Sequence, residues 1–463
     1  MNLVLAALLG YVLLQFAIGV WFSRRMATDT DYILAGRRLG IGLVTFSVFS
    51  TFFGAEAIVA TGGSVYEKGA SGALVDPVSY GMAILLVALF FAARLRRANL
   101  VTFADFFRQR YSEGVERLVV LVLLPGSILW AAAQIRAFGQ ILSANSALSL
   151  TMAISIAALL VAAYSVIGGL LADAVTDFIQ GLVVMAGLVI LGVVIIGQTG
   201  TPGEVLAKLE PGRLSLQLDG GVIEFLETVL VPVCGTIVAV ELVSRFLGAR
   251  TPKDAAVGTA IGAGLYLLVG TIPVYLGLAG PILLPTLDDP EQLVPKLAEA
   301  YLTPALHVVF TGAIVSAILS AVHAALHAPA AQVAHNVVIK FRPGMGGKTR
   351  LWLVRGTVAG LAVVGYLLAL TSETIKGLVE IASAFGSAGV FVVTVLGLFT
   401  NIGGVPSAYA AIVSGVTVWA AGRFVLHMDT PYIAGLVAAL VSYLLMAFML
   451  RRTKNLVASA SDP

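Results

Sequence analysis

Apolar runs of roughly 20 residues recur from one end of the chain to the other, and each is long enough to cross a bilayer as a helix. The pattern predicts about thirteen helical spans, near 2–22, 40–66, 72–93, 117–143, 148–167, 174–197, 221–245, 256–280, 304–328, 353–371, 377–399, 407–427 and 431–450. Successive spans must deliver their loops to alternate sides, so charge tests the count. One side receives Arg24, Arg25, Arg37 and Arg38, then Arg94, Arg96, Arg97, Arg108, Arg110 and Arg117, then Arg245, Arg250 and Lys253. It also receives Lys340, Arg342, Lys348, Arg350 and Arg355, and finally Arg451, Arg452 and Lys454. The other side holds Lys68, Lys208, Arg213, Lys296 and Lys376. The positive-inside rule then makes the crowded side cytoplasmic, with the N-terminus outside and the C-terminus inside. A cell-membrane protein of many passes is expected, with the lipid bilayer as its surroundings.

Composition narrows the class. Of 463 residues, 59% are apolar and 11% charged, whereas a soluble domain carries about a quarter of its residues as charge. The single cysteine, Cys234, excludes a disulfide framework and a multi-cysteine metal site. A net charge of +3 gives no nucleic-acid signature. The first apolar run lacks a basic leader region and a small-residue cleavage site, so a retained helix is expected there. The organisation is a single multi-pass domain over residues 1–463, and no obligate protein partner is evident.

Three stretches break the apolar pattern. FFGAEAIVATGG (Phe52 to Gly63) places glycines and Glu56 inside the second span. YSVIGGLLADAVTDFIQG (Tyr164 to Gly181) carries Asp173 and Asp177, and the ninth span carries Ser316, Ser320, His323 and His327. Ionisable groups at membrane depth are expensive and mark ion or solute pathways. The second span is interrupted by Gly54, Gly62 and Gly63, and the seventh by Pro232 and Gly235. Irregular helices in corresponding places of two halves point to a site between them.

Together the motifs resemble the sodium:solute symporter family, which has a LeuT-type fold. DYILAGRRLG (Asp31 to Gly40) matches its opening signature and AEAIVATGGSVYEKG (Ala55 to Gly69) its second span. The Tyr164–Gly181 stretch matches the junction of its fifth and sixth spans, and VSRFLGARTPKDA (Val243 to Ala255) the loop after the seventh. The resemblance implies an all-α membrane protein with two inverted repeats of five helices, about 40–197 and 221–399, and flanking helices at 1–22 and 407–450. It implies a sodium site at the backbone carbonyls of Ser50, Phe53 and Ala317 and the hydroxyl of Ser320. The chain departs from the family at Ala321, where a second hydroxyl is usual. It departs again at His323 and Ala324, where members with a second sodium site have hydroxyls, while the accompanying acid is kept as Asp177.

His323 and His327 share one helical face, as do Asp173 and Asp177. A histidine–carboxylate relay binding a proton in place of sodium is one reading, since histidine titrates near physiological pH. A hydrogen-bonded polar cluster, or a transition-metal site by ligand type, are others. Glu56, Trp130, Gln134 and Arg136 are candidate substrate residues, with helix positioning or a structural role as the alternatives for Glu56. If Arg136 faces the cavity it favours a carboxylate-bearing solute; otherwise it snorkels outward. Glu224 and Glu227 suit an interface or gate, Phe385 a gate or packing role, and Arg423 a pairing or snorkelling role.

The function these features support is secondary active symport of a small polar organic solute by alternating access. No cofactor is expected, and Na+ or H+ is the coupling ion. No Walker loop is present to supply ATP chemistry. An uncoupled facilitator or channel is the alternative. An intramembrane enzyme would have only the His–Asp group to work with, so none is expected.

Overall fold

The computed structural model describes residues 3–23, 29–144, 146–215, 221–341, 344–372 and 374–460. Arg24, Arg25 and Arg342, assigned above to the crowded side, lie outside them. Each of the thirteen apolar runs contains helix. Among the described residues, ten helices are long and apolar enough to span a membrane, and one pair bent by 41° makes an eleventh. The difference from thirteen lies at the start of the chain. Leu3–Ser23 (α1) is a further apolar helix of 21 residues. Ile41–Phe52 (α2) is a half-length helix. The outer half of the second run continues with the third as one apolar stretch, Glu56–Arg97.

The remaining spans are Glu113–Ala144 (α3), Leu150–Ile167 (α4), Leu170–Thr199 (α5), Val222–Ile237 (α6) with Val240–Leu247 (α7), and Pro252–Leu283 (α8). Then come Pro304–Gln332 (α9), Gly347–Thr371 (α10), the bent pair Ile375–Ala384 (α11) and Ser387–Phe399 (α12), Val405–Phe424 (α13) and Pro431–Ala460 (α14). This is an all-α membrane protein.

Sequence explains why α9 sits at the centre. From Phe310 onward almost every residue of α9 is buried, polar and apolar alike. A helix buried all round has neighbours on every side, and α9 packs against α5, α3, α10, α1 and α2. The polar stripe of Ser316, Ser320, His323 and His327 therefore faces protein, not lipid.

Two helices break where the sequence loses helix-forming consistency. The first break follows α2 at Phe53, whose ψ is 62°. A Cβ on Gly54 would come within 2.8 Å of Glu56 Oε2, 2.9 Å of Gln134 Oε1 and 3.0 Å of the Ala321 Cβ. The side chains of α3 and α9 press so closely that only glycine fits. The second break separates α6 from α7 at Ala239, whose ψ is 119°. Both breaks border the same cavity.

The basic loops gather at one end of the bundle. Arg37 bonds Asn99 Oδ1 at 2.9 Å, Arg96 bonds the Ala249 carbonyl at 2.6 Å, and Leu39 pairs with Ala249. At the opposite end Arg213 donates to the Val65 carbonyl at 3.3 Å, and the Lys376 amide donates to Glu291 Oε1 at 3.3 Å.

Candidate functional site: a central cavity and a buried charged cluster

The breaks leave backbone groups that lack helical partners, and side chains supply some of them. Gln134 on α3 accepts a hydrogen bond from the Ala55 amide at 3.2 Å, and its own amide donates to Glu56 Oε2. Trp130, one turn earlier, donates from Nε1 to Glu56 Oε1 at 2.9 Å. Glu56 is thus held from both sides by α3. This explains how a carboxylate persists at 7% exposure inside the bundle.

Beside Glu56 lies a cavity of about 70 Å3, room for several waters. Glu56 and Trp130 line it, as do Phe52, Tyr80, Tyr266 and Glu241. Outward it adjoins a space of about 110 Å3 that shares Glu56, Tyr80 and Val379 in its wall and is bordered by Asp76. Gln134 is fully buried behind the break and is not in the cavity wall. Arg136 is elsewhere. It lines a cavity of about 620 Å3 with Glu291, Lys296 and His307, and its Nη1 donates to the Ala369 carbonyl at 3.2 Å. Glu291 lies in a loop at the end opposite the basic loops, where burial raises its pKa above the ordinary glutamate value.

Glu241 was not singled out from sequence. It stands two residues beyond the Ala239 break, with 4% exposure, and its Oε1 has no hydrogen-bond partner among the described residues. The signal was present in a carboxylate just past an irregular Pro–Gly helix. Asp76 was missed as well. Its Oδ1 accepts from the Tyr266 hydroxyl at 2.9 Å, while Oδ2 has no partner among the described residues.

Deeper in the bundle the second group assembles. Asp177 on α5 accepts from Ser47 at 2.8 Å and from Ser320, while its backbone carbonyl accepts from Ser50 at 2.9 Å. One residue therefore fastens α2 and α9 to α5. Four residues back, Asp173 pairs with Arg245 of α7 and stands 2.8 Å from His323 Nδ1. Arg245 also lies 3.9 Å from Asp177 and donates to Thr51 Oγ1 at 2.8 Å. The His327 ring stacks on His323 at 5.3 Å between centroids, and its Nε2 faces the Tyr32 carbonyl at 3.1 Å. Ser316, first of the stripe, is bonded to Tyr11 of α1. Phe53 and Ala317 are buried at this level.

The sequence-derived residues Ser50, Asp173, Asp177, Ser320, His323 and His327 are thus brought together. Arg245, which the sequence reading took as a loop cation, joins them. No group of three or more His, Cys, Asp or Glu suited to a metal ion occurs among the described residues.

Other polar residues have structural posts. Glu227 accepts from the Tyr432 and Ile433 amides at 2.6 and 2.8 Å, capping the first turn of α14. Phe385 sits at the bend between α11 and α12 and packs on Trp419 at 5.4 Å.

The model of the sodium:solute symporter family matches residues 32–415. The chain belongs to this family. Among similar proteins, the high affinity choline transporter 1 of Homo sapiens is 26% identical over 89% of this chain and 75% of its own length. The high-affinity proline transporter PutP of Bacillus subtilis is 25% identical over 87% and 89%. In fold, the symporter is similar to a Na+-coupled sialic acid symporter solved in a substrate-bound outward-open state, with a TM-score of 0.84, 17% identity and coverage of 96% and 98%. Mhp1, a nucleobase-cation-symport-1 family transporter, matches with a TM-score of 0.60 at 14% identity, over 92% of this chain and 96% of its own. The fold is that of the LeuT-type transporters, and the protein is a cation-coupled symporter of a small solute that works by alternating access.

Proposed function

We propose that the solute binds in the cavity between the two helix breaks, and that the coupling cation acts at the Asp173–Asp177 cluster. The observation that carries this reading is a charge balance. With both carboxyls ionised, Asp173 and Asp177 bring two negative charges and Arg245 one positive, all at 0–1% exposure. One negative charge is left over in a region where uncompensated charge is costly. A single further cation restores neutrality. It could be sodium, held by the freed carbonyls of Ser50 and Phe53, the Ala317 carbonyl and the Ser320 hydroxyl. It could equally be a proton on His323. Family membership favours sodium, while Ala321 and the Asp173–His323 contact favour the proton.

The two irregular helices, α2 and α6–α7, correspond in place within two five-helix repeats, about 40–197 and 221–399, around which the flanking helices pack. Filling the cation site would draw α2 and α9 toward α5 through Asp177. That couples the ion to the wall of the solute cavity, because α2 runs directly into the Gly54 break. The end that carries Arg37, Arg96, Arg110, Arg250 and Lys340 is assigned to the cytoplasm.

Uptake into proteoliposomes under separately imposed sodium and proton gradients tests the reading. Accumulation above equilibrium under one gradient alone identifies the ion, and equilibration without accumulation under both would reject coupling.

A further inference from the structure

The chemistry of the central cavity is one-sided. Its wall holds two carboxylates, Glu56 and Glu241, and no lysine, arginine or histidine. The adjoining space adds Asp76 and Glu380, with Lys68 and Lys376 also in its wall. Glu56 has a donor on each oxygen, but Glu241 Oε1 and Asp76 Oδ2 have none among the described residues, although both side chains are more than nine-tenths buried. Ser127 stands by Glu241 and Thr61 by Asp76, yet a buried carboxylate in a cavity wall with one oxygen unpartnered calls for a cation or donor from a ligand.

Five rings, Phe52, Tyr80, Trp130, Tyr266 and Phe385, share the rest of the wall with small, apolar and hydroxyl side chains, Ser127 and Thr236 among them. Phe52 lies 5.5 Å from Trp130 and 6.5 Å from Tyr80, centroid to centroid. The polar atoms of these rings are already committed. Trp130 Nε1 donates to Glu56 at 2.9 Å, the Tyr80 hydroxyl meets Ser383 Oγ at 2.7 Å, and the Tyr266 hydroxyl donates to Asp76 at 2.9 Å. What they offer a ligand is their π-surface, whose negative face attracts cations. A carboxylate-bearing solute would need a basic partner; the central cavity has none, Lys68 and Lys376 border only the adjoining space, and Arg136 lies in a different cavity.

We propose that the solute of this symporter carries a small organic cation, a quaternary or protonated amine. Its charged head sits between Glu241 and the rings of Phe52, Tyr80, Trp130 and Tyr266. The proposal rests on the reading of this cavity as the solute site. The 70 Å3 cavity takes the head, and the 110 Å3 space beside Asp76 takes the rest of a short molecule. Glu241 is one helical turn from Arg245, on the same short helix α7. A cation drawn to Glu241 is therefore mechanically joined to the segment that carries the guanidinium of the coupling cluster.

The test is equilibrium binding of radiolabelled choline, as a trimethylammonium probe, to the purified full-length protein in detergent, with 3,3-dimethylbutan-1-ol as its uncharged isostere. Choline is expected to bind saturably, with the isostere competing at least tenfold more weakly. Glu241→Gln is expected to weaken choline binding tenfold or more, and Glu241→Asp to retain part of it. Equal competition by the uncharged isostere in the wild-type protein overturns the proposal without any variant having to fold. So does stronger binding of an uncharged or anionic solute at this cavity. If choline binds but proteoliposomes equilibrate it under every gradient, the cation site stands and only ion coupling fails.

Discussion

Asp173 Oδ1 stands 2.8 Å from His323 Nδ1, while its other oxygen pairs with Arg245. A single carboxylate is thereby compensated from two helices, α7 and α9. Removing one partner of a buried ion pair typically costs about 3–5 kcal/mol, whereas removing both charges costs far less. Arg245→Gln and Asp173→Asn are each expected to lower stability by about 3 kcal/mol, and the double variant to recover a large part of that loss. Unfolding in detergent, followed as a double-mutant cycle, measures the coupling. Additive losses would show that the pair is not an energetic unit.

Ser320 tests the cation site more directly. Its hydroxyl is bonded to the Asp177 carboxylate, the group that also receives Ser47. Ser320→Ala removes one donor to Asp177 and, in the proposed site, one oxygen ligand for sodium, leaving the apolar packing of α9 intact. Loss of one such contact is worth roughly 1–1.5 kcal/mol. The sodium concentration for half-maximal uptake is expected to rise about tenfold, with little change in maximal rate. Sodium dependence equal to the wild type would remove Ser320 from the coupling site.

Two crowded glycines, Gly54 beside the proposed solute cavity and Gly168 beside His323, allow the two proposed sites to be perturbed one at a time. An alanine at Gly54 would press on Glu56, Gln134 and Ala321 at 2.8–3.0 Å, two of them the ends of short, mutually bonded side chains. Overpacking of this kind costs about 1–3 kcal/mol. Gly54→Ala is expected to retain expression and lose most transport. At Gly168 the added Cβ would meet His323 Nε2 at 3.1 Å. Gly168→Ala is expected to perturb ion dependence while leaving solute binding near wild type. Uptake measured across sodium and pH separates the two, and identical phenotypes would contradict the division into two sites.

Hydropathy made the spans legible, because lipid permits backbone to cross only as helix or closed barrel. The two-ended segregation of Arg and Lys was equally visible. The Asp173, Asp177, Ser320 and His323 grouping could be read because each pair shares a face on its own helix, and the family resemblance placed those helices together. Arg245 could not be read that way. It was counted as a loop cation at the end of its span, and only tertiary packing turns α7 inward against Asp173. Gln134, a candidate solute residue, braces the Gly54 break from behind and is absent from the wall of the central cavity. Arg136 was weighed as a solute anchor, yet no local pattern distinguishes the two cavities that α3 borders. Glu241 was hidden for a related reason, since a break such as Ala239 is set by φ and ψ that no single residue type announces.

At the basic end of the bundle Asn336 ties several elements together. Its amide nitrogen donates to Asp105 Oδ1 at 2.9 Å and Glu116 Oε1 at 2.7 Å, while its carbonyl accepts from Thr102 at 2.7 Å. Lys340 pairs with the other oxygen of Glu116. One neutral side chain thus joins two carboxylates, and Asn336→Ala would leave them facing each other without the shared donor. Repulsion between like charges at partly buried sites favours separation of the elements that carry them. The variant is expected to shift the resting population toward the form open at this end. Ala331, buried at 3% beside a pocket of about 10 Å3 that His327 also lines, would then become accessible. In a Cys234→Ser background, Ala331→Cys is expected to react several-fold faster with a membrane-impermeant maleimide when Asn336→Ala is present. An unchanged rate would show that the carboxamide bridge does not hold the pathway closed.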